Sequence, residues 1–189
     1  ASRNSQEPNY GLIEKIAREC RMPLCYGGGI NSIDKAERII QLGVEKVALS
    51  SAVLSDMELI PKLSKRIGLQ SVVVVLDIKK NIFGKYEIFT INGTKKFPLS
   101  LDDVLKKLDA LGIGELVINS INNDGMMKGY DPELAQRVRD SVSCPLTVLG
   151  GVGCKEDIVA LVKRFRIIGA SVGSLFVFKG PYKAVLINY

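Results

Sequence analysis

Short apolar runs alternate with amphipathic stretches along the whole chain. Residues 24–26 lead into Gly27-Gly28-Gly29, and Ser32 then caps a stretch whose apolar positions Ile33, Ala36, Ile39, Ile40 and Leu42 recur at helical spacing until Gly43 stops it. This strand, loop, helix unit recurs. Further strands are predicted at 47–49, 71–77, 115–119, 145–149 and 167–173, with helices over 56–67, 131–141 and 155–165. Most of these strand segments are apolar on successive residues, as expected when a parallel strand is covered on both faces, so the predicted class is α/β. One region departs from the pattern. Between Tyr86 and Phe97, Asn92-Gly93 separates two β-prone arms, which predicts a hairpin inserted after the 71–77 strand and before a helix over 101–111.

Such units build either a closed barrel or an open doubly wound sheet, and an internal repeat chooses between them. Gly27-Gly28 and Gly150-Gly151 share an offset of 123 residues with the pairs Asp34/Asp157 and Ser51/Ser174. Two related half-barrels follow, so a (β/α)8 barrel leads, with its site at the C-terminal ends of the strands.

Composition narrows the function classes. The chain of 189 residues is 47% hydrophobic and 24% charged, a globular profile that excludes disorder. Apolar stretches such as 72–76 fall far short of the roughly 20 residues a membrane span requires, so one soluble, cytoplasmic domain over 1–189 is expected. Cys20, Cys25, Cys144 and Cys154 are too scattered for a disulfide framework or a metal knuckle and read as reduced thiols. With no His, acid–base chemistry falls to Asp, Glu, Lys, Cys or Tyr; neither a metal site nor a cofactor is expected. The net charge of +6 suggests an anionic partner. Because Lys35, Arg38, Lys62, Lys65 and Arg66 fall in helical stretches without interleaved aromatics, small phosphorylated ligands fit better than nucleic acid.

Four features carry candidate chemistry. Gly27-Gly28-Gly29 and Ser50-Ser51, at the ends of consecutive strands, would offer backbone N–H groups and hydroxyls to a phosphate. Gly150-Gly151-Val152-Gly153 with Gly173-Ser174 repeats that arrangement, which predicts a ligand with two phosphates; tight turns and helix caps account for the same residues more plainly. Asp77 ends a strongly apolar run, where desolvation disfavours the charged form and suits a general acid or base, or else it is a cap. The polar loop from Asn119 to Asp131 would turn N–H groups of Asp124-Gly125 toward the mouth, with Asn119 and Ser120 hydrogen-bonding a ligand. Lys46 and Glu115 begin their strands, at the end of a barrel where charges ordinarily form surface ion pairs.

Taken together, Gly27-Gly-Gly-Ile30, Gly43-Val-Glu-Lys-Val47, Ser71-Val-Val-Val-Val-Leu-Asp77, Gly112-Ile-Gly-Glu115, Asn119-Ser-Ile-Asn-Asn-Asp-Gly125, Gly129-Tyr-Asp131, Gly150-Gly-Val-Gly153 and Ala170-Ser-Val-Gly-Ser174 resemble the HisF family, the cyclase (synthase) subunit of imidazole glycerol phosphate synthase. The resemblance runs in order through essentially the whole chain. It implies a barrel that takes ammonia from a HisH-like glutaminase partner in a heterodimer. The substrate implied is a bis-phosphorylated ribulosyl formimino carboxamide ribonucleotide, converted to imidazole glycerol phosphate and aminoimidazole carboxamide ribotide. On the same ground Asp77 falls on a catalytic aspartate; Gly29 and Ser51 fall in one phosphate site, and Asp124, Gly125, Gly151, Gly173 and Ser174 in the other and its rim. Lys46 and Glu115 fall on the charged ring that gates ammonia, in place of a plain surface pair.

Departures from the family pattern matter too. Its first two strands, with the second catalytic aspartate and a substrate lysine, have no counterpart here, so six strands with two open edges are expected and the stretch alone is expected to be inactive. Ser50 replaces a usual Asn, Asn119 a usual Thr and Asn122 a usual Asp. The segment 176–189 resembles instead a HisF-like paralogue of surface-polysaccharide clusters, which implies an alternative role: delivering ammonia for amidation of an acetamido sugar. A related isomerase barrel fits less well, since it has no ammonia to admit.

Overall fold

The computed structural model describes residues 7–179 and 184–185. Helix α1 (Tyr10–Glu19) opens where the Asn9 side chain accepts a hydrogen bond from the Leu12 N–H. No helix is predicted over this stretch, although Ile13, Ile16 and Ala17 recur at helical spacing; in the structure Leu12 and Ile16 face solvent and the helix buries only Ile13. The βα units then follow: β1 (Cys25–Gly27), α2 (Ile33–Gln41), β2 (Lys46–Leu49), α3 (Ser51–Ser55) and α4 (Leu59–Ile67). The helix expected over 56–67 is α4, and α3 is an additional short helix before it. α3 starts immediately at the end of β2, inside a segment that reads as a phosphate loop, and the chain breaks at Asp56, whose carboxylate accepts the Glu58 N–H.

β3 (Val72–Lys80) is the long central strand and leads into the expected hairpin. It continues past Asp77 to Lys80, turns, and pairs antiparallel with β4 (Tyr86–Thr90), which pairs in turn with β5 (Lys95–Lys96) across the Asn92-Gly93 turn. The expected hairpin is present, and the strand that carries Asp77 runs on to pair with its first arm. Lys79-Lys80 reads as a strand end because it is polar, yet these residues stand beyond the rim of the sheet, where water replaces apolar cover. After it come α5 (Leu101–Leu111), β6 (Glu115–Ser120), α6 (Pro132–Arg139), β7 (Leu146–Leu149), α7 (Lys155–Phe165), β8 (Gly169–Ala170), α8 (Ser174–Val177), β9 (Phe178–Lys179) and β10 (Ala184–Val185). β9 and β10 form a small antiparallel pair; residues 180–183 and 186–189 of the distinctive C-terminal segment lie outside the described residues, as do 1–6.

The six predicted parallel strands form one curled sheet in the order β1-β2-β3-β6-β7-β8. Side chains alternate across it. Leu49, Val74, Leu76, Leu116, Ile118 and Val148 point outward and are buried in a core with helix residues such as Ile39, Leu63, Leu105, Leu108 and Leu134. Lys46, Val75, Asp77, Glu115, Val117, Asn119 and Thr147 alternate to the other side, the concave interior, and are only half-buried. The repeat is visible in the backbone as well. Ser50 and Gly173, preceding α3 and α8, have φ/ψ of −126°/−91° and −120°/−76°.

Gly114 joins α5 to β6 so closely that a Cβ there would overlap the Leu69 carbonyl oxygen. Gly114→Ala is expected to cost about 1–3 kcal/mol through forced backbone shifts, seen as a lower urea midpoint with an unchanged slope.

Candidate active site at the strand C-termini

A cavity of ≈ 800 Å³ opens at the C-terminal ends of β1, β2 and β3, lined by Gly28, Gly29, Ser50, Ser51 and Asp77. Gly28 and Gly29 have φ of 125° and 69°, a backbone that L side chains rarely adopt, which explains the glycines at this strand end. The Ser50 hydroxyl is buried and has no hydrogen-bond partner among the described residues. Ser51 accepts a hydrogen bond from the Ile91 N–H at 3.4 Å, so its own hydroxyl proton remains free to donate. Ile91 and Asn92, at the hairpin turn, close one side of the cavity. Their contribution is not legible from the Asn92-Gly93 turn signal alone, because it depends on the extension of β3 that carries the turn back over the mouth.

Asp77 and Asn119 are register partners on β3 and β6, and the Asn119 amide donates to Asp77 Oδ1 at 2.9 Å. Asn119 therefore holds the carboxylate; its own Oδ1 is buried with no hydrogen-bond partner among the described residues. Ser120 corrects an expectation. One residue further along the strand it points to the opposite face, is buried, and uses its carbonyl to accept the N–H groups of Asn123 and Asp124. The Asp124 N–H is thereby taken within the turn instead of facing the mouth.

The second glycine motif lies at the ends of β7 and β8. Gly150 and Gly151 have φ of 97° and 107°, and a Cβ on Gly151 would overlap the Gly129 carbonyl oxygen. Close approach is the reason: the Gly129 N–H donates to the Gly151 carbonyl at 2.8 Å, and Asn123 donates to the Gly129 carbonyl at 3.1 Å. Asp157 accepts the N–H groups of Gly153 and Cys154, so part of this motif caps α7. Gly173 and Ser174 stand beside it, at the start of α8. Tyr130, which sequence reasoning passes over, is buried and donates to the Ser171 carbonyl, pinning the 120–131 loop to the β8 end.

Asn122 acts outside the cavity. Its Oδ1 accepts the Lys80 N–H at 2.8 Å while its Nδ2 donates to the Lys80 carbonyl at 3.3 Å, clasping the β6–α6 loop to the hairpin. A carboxylate could make only the first bond. Lys80 also bridges to Glu133, and the Tyr86 hydroxyl donates to Asp131, the cap of α6. Burial, with the Asp131 charge adding to it, pushes the Tyr86 phenol up to about 12, so it stays a neutral donor.

At the opposite end of the concave face, Lys46 Nζ meets Glu115 Oε2 at 2.6 Å, and the Thr147 hydroxyl donates to Glu115 Oε1 at 2.7 Å. The two charges come from β2 and β6, with β3 between them, so they meet across the interior and not along one strand. Gly169 makes room: a Cβ there would overlap the Thr147 hydroxyl. Burial alone would raise the Glu115 carboxyl, but the hydrogen bonds from Lys46 and Thr147 and the ammonium charge outweigh it and hold it below the ordinary glutamate range. Cys25, the register partner of Lys46, has its thiol pushed up by burial and by the Glu115 charge. Cys20, Cys25, Cys144 and Cys154 are all free thiols, and no described helix is long and apolar enough to cross a membrane.

A parallel sheet with duplicated glycine turns at one end of its strands and an interior ion pair at the other defines a (β/α)-barrel protein built from two related halves. The family model described as "Histidine biosynthesis protein" matches residues 1–182, and the chain belongs to that family. It is 57% identical over 190 residues to the "Putative imidazole glycerol phosphate synthase subunit hisF3" of Vibrio vulnificus, covering 100% of this chain and 73% of that protein. Against the "Putative imidazole glycerol phosphate synthase subunit hisF2" of Pseudomonas aeruginosa the identity is 43% over 189 residues, covering 100% and 75%. The imidazole glycerol phosphate synthase subunit HisF of Petrotoga mobilis is 37% identical over 160 residues, covering 84% and 64%.

Removing the ammonium group by Lys46→Met leaves the half-buried Glu115 carboxylate without its counter-charge and held only by the Thr147 hydroxyl, at an expected cost of about 1–2 kcal/mol near neutral pH. Because the folded carboxyl is depressed by its partners, the stability it supplies is present above the unfolded value, about pH 4.3, and is lost as pH falls through the folded one. The difference between wild type and Lys46→Met in urea denaturation should accordingly shrink as the pH is lowered through that window.

Proposed function

We propose that this chain is the synthase (cyclase) part of a glutamine-dependent imidazole glycerol phosphate synthase. A HisH-like glutaminase supplies the ammonia, and the barrel converts the bis-phosphorylated ribulosyl formimino carboxamide ribonucleotide to imidazole glycerol phosphate and aminoimidazole carboxamide ribotide. The observation that carries this reading is the strand order. The two glycine motifs occupy the two ends of the sheet, at β1/β2 and β7/β8, while Asp77 and Asn119 sit side by side on the two central strands. At about 4.8 Å per strand the two motifs are ~19 Å apart along the sheet and less across its concave side, a span suited to a ligand with a phosphate at each end.

In this reading Gly28, Gly29, Ser50 and Ser51 hold one phosphate and Gly150, Gly151, Gly173 and Ser174 the other. Asp77 exchanges a proton with the ligand between them: Asn119 holds Oδ1, so Oδ2 carries the proton. Glu115, four residues or about 13 Å below Asn119 on the same face, and its partner Lys46 guard the entry of ammonia. Val75 and Val117 supply an apolar wall between the two ends.

A second reading has its own observation. The segment 176–189 resembles a HisF-like paralogue of surface-polysaccharide clusters, and that resemblance supports an ammonia-delivering subunit for amidation of a polysaccharide acetamido sugar. Turnover separates the two. The protein carrying this chain, assayed with ammonium salt and the bis-phosphate substrate, should form imidazole glycerol phosphate, and Asp77→Asn should lower kcat at least ~100-fold. No product from the wild type would exclude the cyclase and leave the delivery role.

A further inference from the structure

One rung of backbone pairing crosses the sheet at the level of Asp77. Phe89 on β4 is the register partner of Asp77 on β3, Asp77 of Asn119 on β6, and Asn119 of Leu149 on β7. Register partners point to the same face of a sheet, so Phe89 stands on the concave side, one strand or about 4.8 Å from Asp77 and on the flank away from Asn119. The adjacent rung, Ile78 with Ile88, faces the helices and is buried in the core. Phe89 is only half-buried and, among the described residues, takes no place in that core. A phenyl ring beside the carboxylate, with no packing to support, offers its face to a ligand.

A cation stands over this ring. Lys79, two residues beyond Asp77 on the same face of β3, is exposed, and its Nζ lies 5.9 Å from the Phe89 ring centroid. The carboxylate opposite Lys79 in register, Glu87, is already engaged: Lys96 Nζ bridges to its Oε1 at 2.7 Å, and Asn81 Nδ2 donates to the same oxygen at 3.1 Å. Lys79 therefore has no ion pair among the described residues. Its contact with the ring is at the outer limit of a cation–π interaction, so the flexible ammonium is free to move aside and donate to an oxygen on whatever covers the ring.

We propose that Phe89 and Lys79 form a shelf for the planar ring of the ligand: a five-membered nitrogen heterocycle stacks on Phe89, and the Lys79 ammonium donates to the oxygen of its carboxamide substituent. The inference rests on the cyclase reading, which brings such a ring to Asp77, and it gives the ring a place that neither phosphate cradle provides. Stacking suits the position because a phenyl face holds a planar π-system without a hydrogen bond that would compete with proton exchange at the neighbouring carboxylate.

Titrating the protein that carries this chain with aminoimidazole carboxamide ribotide, and separately with ribose 5-phosphate as the same ligand without its ring, tests the shelf. In proton NMR the ring proton of the ribotide should move upfield on binding, as a proton over a phenyl face does. Phe89→Leu should abolish that movement and weaken the ribotide about tenfold, with ribose 5-phosphate held within about twofold; Phe89→Tyr, which keeps the aromatic face, should bind both as the wild type does. Lys79→Met should weaken the ribotide about threefold or more. Equal binding of the ribotide by Phe89→Leu and wild type, or a loss shared equally by ribose 5-phosphate, would overturn the shelf. Titration needs no turnover, so the two claims fail separately. A wild type that forms imidazole glycerol phosphate but leaves the ring proton of the ribotide unshifted keeps the cyclase reading and overturns the shelf; one that shifts the proton in a Phe89-dependent way but forms no product does the reverse.

Discussion

The alternation of side chains across a sheet covered by helices on one face only is the constraint on which the site depends. Every second residue of β2, β3, β6 and β7 is committed to the helical core, and the residues between them have the concave interior as their sole destination. Asp77, Asn119, Glu115 and Lys46 all fall in that second set. A one-residue slip in β3 would send Asp77 into the apolar layer among Leu76 and Ile78 and expose those residues in its place. The packing of the helices and the chemistry of the interior are therefore fixed by the same register.

The second organising element is the extension of β3 into the hairpin. It places Ile91 and Asn92 beside Ser51, and through Asn122, Lys80 and Tyr86 it is tied to the loop that abuts Gly151. The two glycine motifs, at opposite ends of the sheet, are thereby joined by a continuous set of hydrogen bonds running over the central strands. Asn122 belongs to this set as an amide because it serves both the donor and the acceptor of one backbone residue.

Much of this was legible in the sequence. The six parallel strands, the helices over 101–111 and 155–165, and the duplication all follow from periodicity, caps and glycine spacing, because those signals are local and their physical cause is strong. α1 has apolar residues at helical spacing but lies ahead of the first glycine-ended strand, outside the repeating strand, loop, helix unit. α3 was hidden inside a motif that has a competing explanation. The lysines of β3 looked like a strand end because polarity marks loops only where a strand has cover to lose. Within the site, residue type points to Asp77 and the glycines, but Ser120 is buried on the helix-facing side of β6, and Thr147, Gly169 and Ile91 act through partners distant in the chain, which no local pattern reveals. The Lys46–Glu115 pair shows the limit most clearly: strand starts suggest surface charges, and only the closure of β2, β3 and β6 around one interior brings them together.

The central claim is that one concave face holds a two-phosphate ligand, with a cradle at each end and Asp77 between. Phosphorus NMR of a bis-phosphate substrate analogue titrated with the protein tests it directly. Both phosphorus resonances should shift and saturate together at one ligand per chain, and Ser51→Ala should reduce the shift of one resonance much more than the other. Movement of a single resonance, or equal affinity for a ligand lacking either phosphate, would contradict the account.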